Sequence, residues 1–194
     1  MKKTILLSLL STLVLGSALY KGIPLLLPEE QVVPIGGSFE LVDSTGVFVS
    51  DQTLRGEYLL VYFGYTFCPD ICPTSLENIT KALNLLSPEA LKKVVPLFIT
   101  LDPKRDTAEF LERYKKAYHP KIRFLRGTDA QTEVAKKAYR AYGERVETVK
   151  GAAEYLIDHT SMIYFMDKNN RFIMHFPHGT DPKIMAEKIE AAVR

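Results

Sequence analysis

The chain has 194 residues, which fits one domain of ordinary size with a sufficient core once the N-terminus is set aside. Its 25 basic and 23 acidic side chains leave a net charge of +2 without a long basic run, so no nucleic acid is expected as a partner. Two cysteines, four positions apart, argue against a disulfide framework.

The N-terminus has the form of an export signal, with Lys2 and Lys3 ahead of an apolar run from Ile5 to Leu15 that continues to Tyr20. Gly16 and Ala18 would suit cleavage after Ala18. Left uncut, Thr4 to Tyr20 would make a helix of ~25 Å, near the lower limit for a bilayer span. Lys21 is outnumbered by the charges before the run, which favours an N-terminus in the cytoplasm. Residues 1–21 are therefore expected to be a signal or membrane anchor. Residues 22–34, with Pro24, Pro28 and Pro34, are expected to be a tether and 35–194 the domain. A cytosolic protein with a buried N-terminal helix is the plain alternative.

Phe39–Asp43 and Val47–Val49 flank Ser44-Thr45-Gly46 as a hairpin. Tyr58–Tyr65 is an apolar, aromatic-rich run of buried-strand length. A short turn then carries Cys68 and Cys72, and Pro73 suits the first turn of a helix. Leu76, Ile79, Leu83 and Leu86 recur on that helix's inner face. Val94–Leu101 reads as a second buried strand. Asp106 is expected to cap a helix with Glu109 three residues on and Phe110, Leu111 and Tyr114 facing inward. Ile122–Leu125 is a short strand, and Asp129 is expected to cap a helix ending at Gly143. Glu144–Tyr155 reads as an irregular hairpin, while Thr160–Asp167 and Arg171–Phe176 form a hairpin about Lys168-Asn169-Asn170. Asp181-Pro182 opens a last helix with Ile184, Met185, Ile189 and Val193 inward. The order of elements implies an α/β fold, a central mixed sheet with helices on both faces and an N-terminal β-hairpin.

The thiols lie where a buried strand delivers the chain to a helix N-terminus, whose amides and dipole favour thiolate. Four positions advance a regular helix by ~6 Å, and a tighter turn brings the sulfurs closer. The pair can close a disulfide or hold one soft metal ion, with a static disulfide or inert core thiols as the plain alternative. His159 precedes the strand Met162–Met166 and so lies at a sheet end, where active-site loops collect. On composition alone it could equally be a capped loop residue. His119, His175 and His178 are set aside, His175 because it alternates opposite Phe172, Met174 and Phe176. Met162, Met166, Met174 and Met185 have the spacing of core residues.

The run Tyr62-Phe63-Gly64-Tyr65-Thr66-Phe67-Cys68-Pro69-Asp70-Ile71-Cys72-Pro73-Thr74 resembles the signature of the Sco/SenC family of copper-binding assembly proteins. Leu101-Asp102-Pro103-Lys104-Arg105-Asp106-Thr107 and Tyr155-Leu156-Ile157-Asp158-His159-Thr160 agree with it, in the same order, over about residues 35–194. The resemblance implies a thioredoxin-like fold, a membrane-held domain and service in cytochrome c oxidase assembly. It implies copper, as Cu(I) or Cu(II), on Cys68, Cys72 and His159. Independently, two thiolates and an imidazole make a soft, low-coordinate set suited to Cu(I), whereas structural zinc normally takes a fourth protein ligand. Asp158 is open between orienting a neighbouring group and serving a turn.

What the resemblance implies first is a copper metallochaperone, an enzyme being the second expectation. Its acceptor would be the binuclear copper site of cytochrome c oxidase subunit II, and another copper chaperone could be its donor. The alternative is a thiol–disulfide oxidoreductase that uses Cys68 and Cys72 to reduce that site's cysteines. Weaker readings are a peroxiredoxin-type peroxidase and a copper or redox sensor. The expected location is the periplasmic side of a bacterial inner membrane, anchored by the N-terminal segment. A cleaved, soluble periplasmic form and a mitochondrial intermembrane-space form are the alternatives.

Overall fold

Seven strands form one mixed sheet in the order β2-β1-β5-β4-β3-β8-β9, and two more form a separate ribbon. The computed structural model describes residues 34–147 and 155–194, so the expected signal or anchor (1–21) and nearly all of the tether lie outside the described residues. Among the described residues no helix is long and apolar enough to cross a membrane.

The N-terminal hairpin is β1 (Glu40–Asp43) with β2 (Phe48–Ser50). The Asp43 carboxylate accepts from the amides of Thr45 and Val47 and so closes its turn. The apolar run expected as a buried strand is β3 (Tyr58–Gly64), paired parallel to β4 (Val94–Thr100) and antiparallel to β8 (Ile163–Met166). β5 (Arg123–Arg126) adds parallel to β4, and β9 (Phe172–Phe176) adds antiparallel to β8. Parallel strands covered on both faces need near-continuous apolar runs, which β3 and β4 supply.

Helix α1 (Ile71–Leu85) carries Cys72 in its first turn, and α2 (Pro88–Lys93) is a short helix capped by Ser87 that the pattern reading had not separated. Next come α3 (Ala108–Tyr114), a 3₁₀ turn at Lys115–Ala117, α4 (Asp129–Tyr139) and α5 (Pro182–Val193). Alternation along β3 puts helices on both sides. Tyr62 packs against Phe98, on the face that Tyr114 covers, and Phe63 packs against Tyr139 of α4 on the other.

The expected mixed sheet, flanking helices and N-terminal hairpin are all present; the departures are local. The cap of α3 is Thr107, whose hydroxyl accepts from the Phe110 amide, because Asp106 turns into the core instead. The cap of α4 is Thr128, in a reciprocal capping box with Gln131, and the helix ends at Arg140 in the left-handed region (φ 51). Gly143 therefore opens a strand rather than closing the helix. Ile184 is exposed and Ala186 takes its inward place, since residues 185, 186, 189 and 193 share one face of α5. A register shift at Phe165/Met166 brings Phe172 to the exposed side with His175, its ring stacked at 6.2 Å. Met166 and Met185 are fully buried, and Met162 and Met174 pack against the core.

Tyr62, Phe98 and Phe124 form a row across three neighbouring strands, with ring centroids 6.2 and 5.0 Å apart. Phe98→Ala should therefore cost about 3–5 kcal/mol through lost transfer energy and the cavity left behind. A urea midpoint that hardly moves would show the row to be slack.

Candidate metal centre

β6 (Gly143–Glu147) and β7 (Tyr155–His159) pair antiparallel as the separate ribbon, and His159 is the last residue of β7. The hairpin expected within Glu144–Tyr155 is thus displaced: its first strand is β6, residues 148–154 lie outside the described residues, and the second strand runs over Tyr155–His159, so His159 ends a ribbon strand rather than standing at the entry to β8. The ribbon lays the imidazole over the junction of β3 and α1. The Cys72 sulfur and His159 Nε2 are 3.3 Å apart across 87 residues of sequence. With the Cys68 sulfur they form a group whose donor atoms all lie within 4.8 Å of one another. Metal–donor bonds of about 2.0–2.3 Å let one ion bridge donors up to about 4.6 Å apart, so this is nearly a formed coordination sphere. It is the one such group of three or more His, Cys, Asp or Glu among the described residues. Both cysteines are free thiols.

The junction shapes each donor. The Asp70 side chain makes no cap bond, and the Cys68 sulfur accepts instead from the Cys72 amide at 3.4 Å, inside the first turn of α1. A hydrogen bond from the Cys72 thiol pulls Cys68 down to about 3; burial opposes the shift, and His159 and the amides of Cys72 and Asp70 assist it. Cys72 goes the other way: its burial is complete and holds it as a thiol, and the Cys68 charge adds to the effect. The pair is thus one thiolate near the surface and one thiol beneath it. The ring of His159 has Nδ1 3.0 Å from the Thr160 carbonyl, so an Nδ1–H donates there and Nε2 is the nitrogen turned to the sulfurs.

Sequence reasoning missed the supports. A Cβ on Gly64 would come within 2.7 Å of the Cys72 sulfur and 2.9 Å of Phe98, so only glycine lets α1 sit this close to β3. Tyr65 and Tyr62 stand edge-on to the imidazole at 5.7 and 6.4 Å, and the Tyr65 hydroxyl accepts from the Ile157 amide at 3.2 Å. Asp106, fully buried, accepts from the Thr66 amide at 3.1 Å and from the hydroxyls of Thr66 and Thr100, which ties the cysteine loop to the end of β4. Burial raises the Asp106 carboxyl, and those hydrogen bonds oppose the rise. Gly64, Tyr62, Tyr65, Thr66 and Asp106 all lie in the quoted motif stretches, where residue pattern alone marks strand, turn and cap positions rather than supports of a site; Thr100 lies just outside them.

Asp158 lies exposed within β7 opposite Glu144, not in a turn. His119 Nδ1 accepts from the Lys121 amide and His178 Nδ1 meets the Ser75 hydroxyl, and neither joins the group of Cys68, Cys72 and His159. A cavity of about 590 Å³ opens over the centre, walled by Tyr65, Cys68, Ile71, Val146, Leu156 and His159. Cys72 lies beneath it, so a visitor meets Cys68 and His159 first.

Two measurements test this geometry. Gly64→Ala should cost about 1–3 kcal/mol through overpacking and weaken metal uptake by displacing the Cys72 sulfur; unchanged uptake would contradict the close approach. In the reduced, metal-free chain, alkylation of Cys68 should be flat between pH 5 and 8, because a lowered pKa keeps the thiolate at acid pH. An ordinary thiol would instead gain about tenfold per pH unit up to about 8.5.

A family model described as SCO1/SenC matches residues 28–194. An SCO2-like protein of Rickettsia prowazekii is 43% identical over 147 residues, 76% of this chain and 71% of its own. Mitochondrial SCO1 of Saccharomyces cerevisiae is 37% identical over 160 residues, 82% of this chain and 54% of its own. Among solved structures, copper-bound ScoI of Bradyrhizobium japonicum superposes with a TM-score of 0.74 at 38% identity, covering 81% of this chain and 98% of that one. Copper-bound yeast Sco1 superposes with a TM-score of 0.75 at 37% identity, covering 83% and 89%. The fold is thus the thioredoxin-like one of the Sco proteins, and the chain belongs to the SCO1/SenC family.

Proposed function

We propose that the protein is a copper chaperone for cytochrome c oxidase, holding Cu(I) on Cys68, Cys72 and His159 and passing it to the binuclear copper site of subunit II. The observation that carries this reading is the meeting of two sulfurs and an Nε2 within 4.8 Å. Soft sulfur donors with one imidazole suit Cu(I) over harder divalent ions. Copper is cargo here, so the site must release it as well as bind it. A set of three donors under an open cavity supports ligand exchange, in which an incoming thiolate shares the ion before Cys68 lets go. Loading displaces the Cys72 proton, so uptake should strengthen as pH rises. The two thiolates and Cu(I) then carry one net negative charge beside the N-terminus of α1, which favours it. Copper-bound relatives from a bacterium and from yeast support the same choice of metal.

A second reading, reduction of the acceptor's cysteines, is favoured by one observation, the lowered pKa of Cys68. A thiolate that stable is a weaker nucleophile than one poised near ambient pH, and the buried Cys72 is a slow resolving thiol. The metal reading is therefore preferred. The export-type N-terminus supports anchoring by residues 1–21, with domain 35–194 on the periplasmic side of the membrane.

X-ray absorption on the copper-loaded full chain should find two sulfur donors and one nitrogen. Cys68→Ser should abolish stoichiometric Cu(I), and His159→Ala should remove the nitrogen donor and delivery to an acceptor peptide while leaving dithiol reduction measurable. Stoichiometric copper retained in Cys68→Ser would refute the site. Delivery intact in His159→Ala would remove the imidazole from the delivery site, and a wild-type chain that reduces the acceptor's cysteines but delivers no copper would favour the reductase.

A further inference from the structure

His159 belongs to a two-stranded ribbon that, among the described residues, pairs with no strand of the central sheet. Such a ribbon has marginal stability alone, so its attachment decides where the imidazole sits. The attachment converges on Tyr155, the first residue of β7. Two guanidinium groups lie over its ring, Arg105 at 3.7 Å and Arg145 at 4.7 Å. Its hydroxyl donates to the Asp102 carboxylate at 2.8 and 2.9 Å, and its carbonyl accepts from Arg105 Nη1 at 2.9 Å. Asp102 is fully buried and also accepts from Arg105 Nε. The same Arg105 guanidinium lies over Phe67 at 4.8 Å and Tyr65 at 5.7 Å, residues just before Cys68. One planar cation therefore touches the loop that bears one sulfur and the ribbon that bears the imidazole.

We propose that Arg105 is a positioning residue for the metal centre: anchored on Asp102, it clamps Tyr155 to the Tyr65–Phe67 turn and so sets the reach of His159 toward the two sulfurs. The inference deepens the proposed copper reading and rests on it for the metal, while the clamp itself concerns the metal-free protein. Lysine cannot replace arginine here. An ammonium could pair with Asp102 but lacks the planar fork that donates to Asp102 and the Tyr155 carbonyl while stacking on the rings.

The test uses the reduced full chain and two readouts. In backbone hydrogen exchange without metal, Arg105→Gln should speed the Ile157 and Thr160 amides by about tenfold or more, with Leu59–Phe63 of β3 unchanged. With Cu(I) loaded, the nitrogen donor should be lost from the X-ray absorption spectrum and affinity should fall by about 10–100-fold. Arg105→Lys should behave as Arg105→Gln on both readouts. Tyr155→Leu, which removes the clamped ring but leaves the Arg105–Asp102 pair, should reproduce the effect and carries the test if Arg105→Gln does not fold. Tyr139→Phe, which loses a hydrogen bond to Asn170 far from the sulfurs, should match wild type. Ribbon protection unchanged in Arg105→Gln, acceleration shared equally by β3, or full rescue by lysine would each overturn the clamp. A wild-type chain that binds no Cu(I) would sink the copper reading and leave the exchange result standing on its own.

Discussion

The structure turns on a contact between a sulfur and an imidazole that share neither a helix nor a sheet. Cys72 is fixed by the burial of α1 against β3, and His159 rides on a ribbon outside the central sheet, yet Sγ and Nε2 stand 3.3 Å apart. Holding polar donors out of water is unfavourable unless they find partners. Here the partners are one another, the first amides of α1 and the Thr160 carbonyl. The absent side chain of Gly64 makes room for the sulfur, and Tyr62 and Tyr65 wall the imidazole.

The two thiols are chemically unequal because their surroundings are. Cys68 sits at the cavity wall with hydrogen-bond donors aimed at it, and its charge is stabilised. Cys72 has an apolar strand beneath it and a thiolate beside it, and both disfavour a second charge. On the proposed copper reading, an arriving cation would meet a ready thiolate first and would displace the second proton only once seated. Departure would run through the same exposed side.

Two buried carboxylates hold the frame around that chemistry. Asp106 gathers Thr66 and Thr100, joining the cysteine loop to β4, and Asp102 gathers Arg105 and Tyr155, joining β4 to the ribbon. Buried ion pairs are a poor source of net stability, because desolvation offsets most of the attraction. Their evident use here is directional: a carboxylate with several donors fixes loops that apolar packing would leave free to slide.

Local chemistry was legible in the residue order. The apolar run of β3 ending at a turn, Pro73 in a first helical turn, the hairpins and the sulfur–sulfur–imidazole donor set all follow from period, turn chemistry and motif. Neighbouring cap candidates were not separable that way: Asp106 and Thr107, or Asp129 and Thr128, satisfy the same rule, and the choice fell to which side chain the core needed. The inward place taken by Ala186 rather than Ile184, and the turning of Phe172 by a register shift, are likewise settlements between elements. So are the closeness permitted by Gly64 and the grip of Arg105. The sequence by itself determined most of the elements and the soft donor types on offer, though not the short helix Pro88–Lys93 or the strand that opens at Gly143. Only the tertiary structure decided which of them meet, because an 87-residue separation is closed by packing, and packing leaves no local period to read.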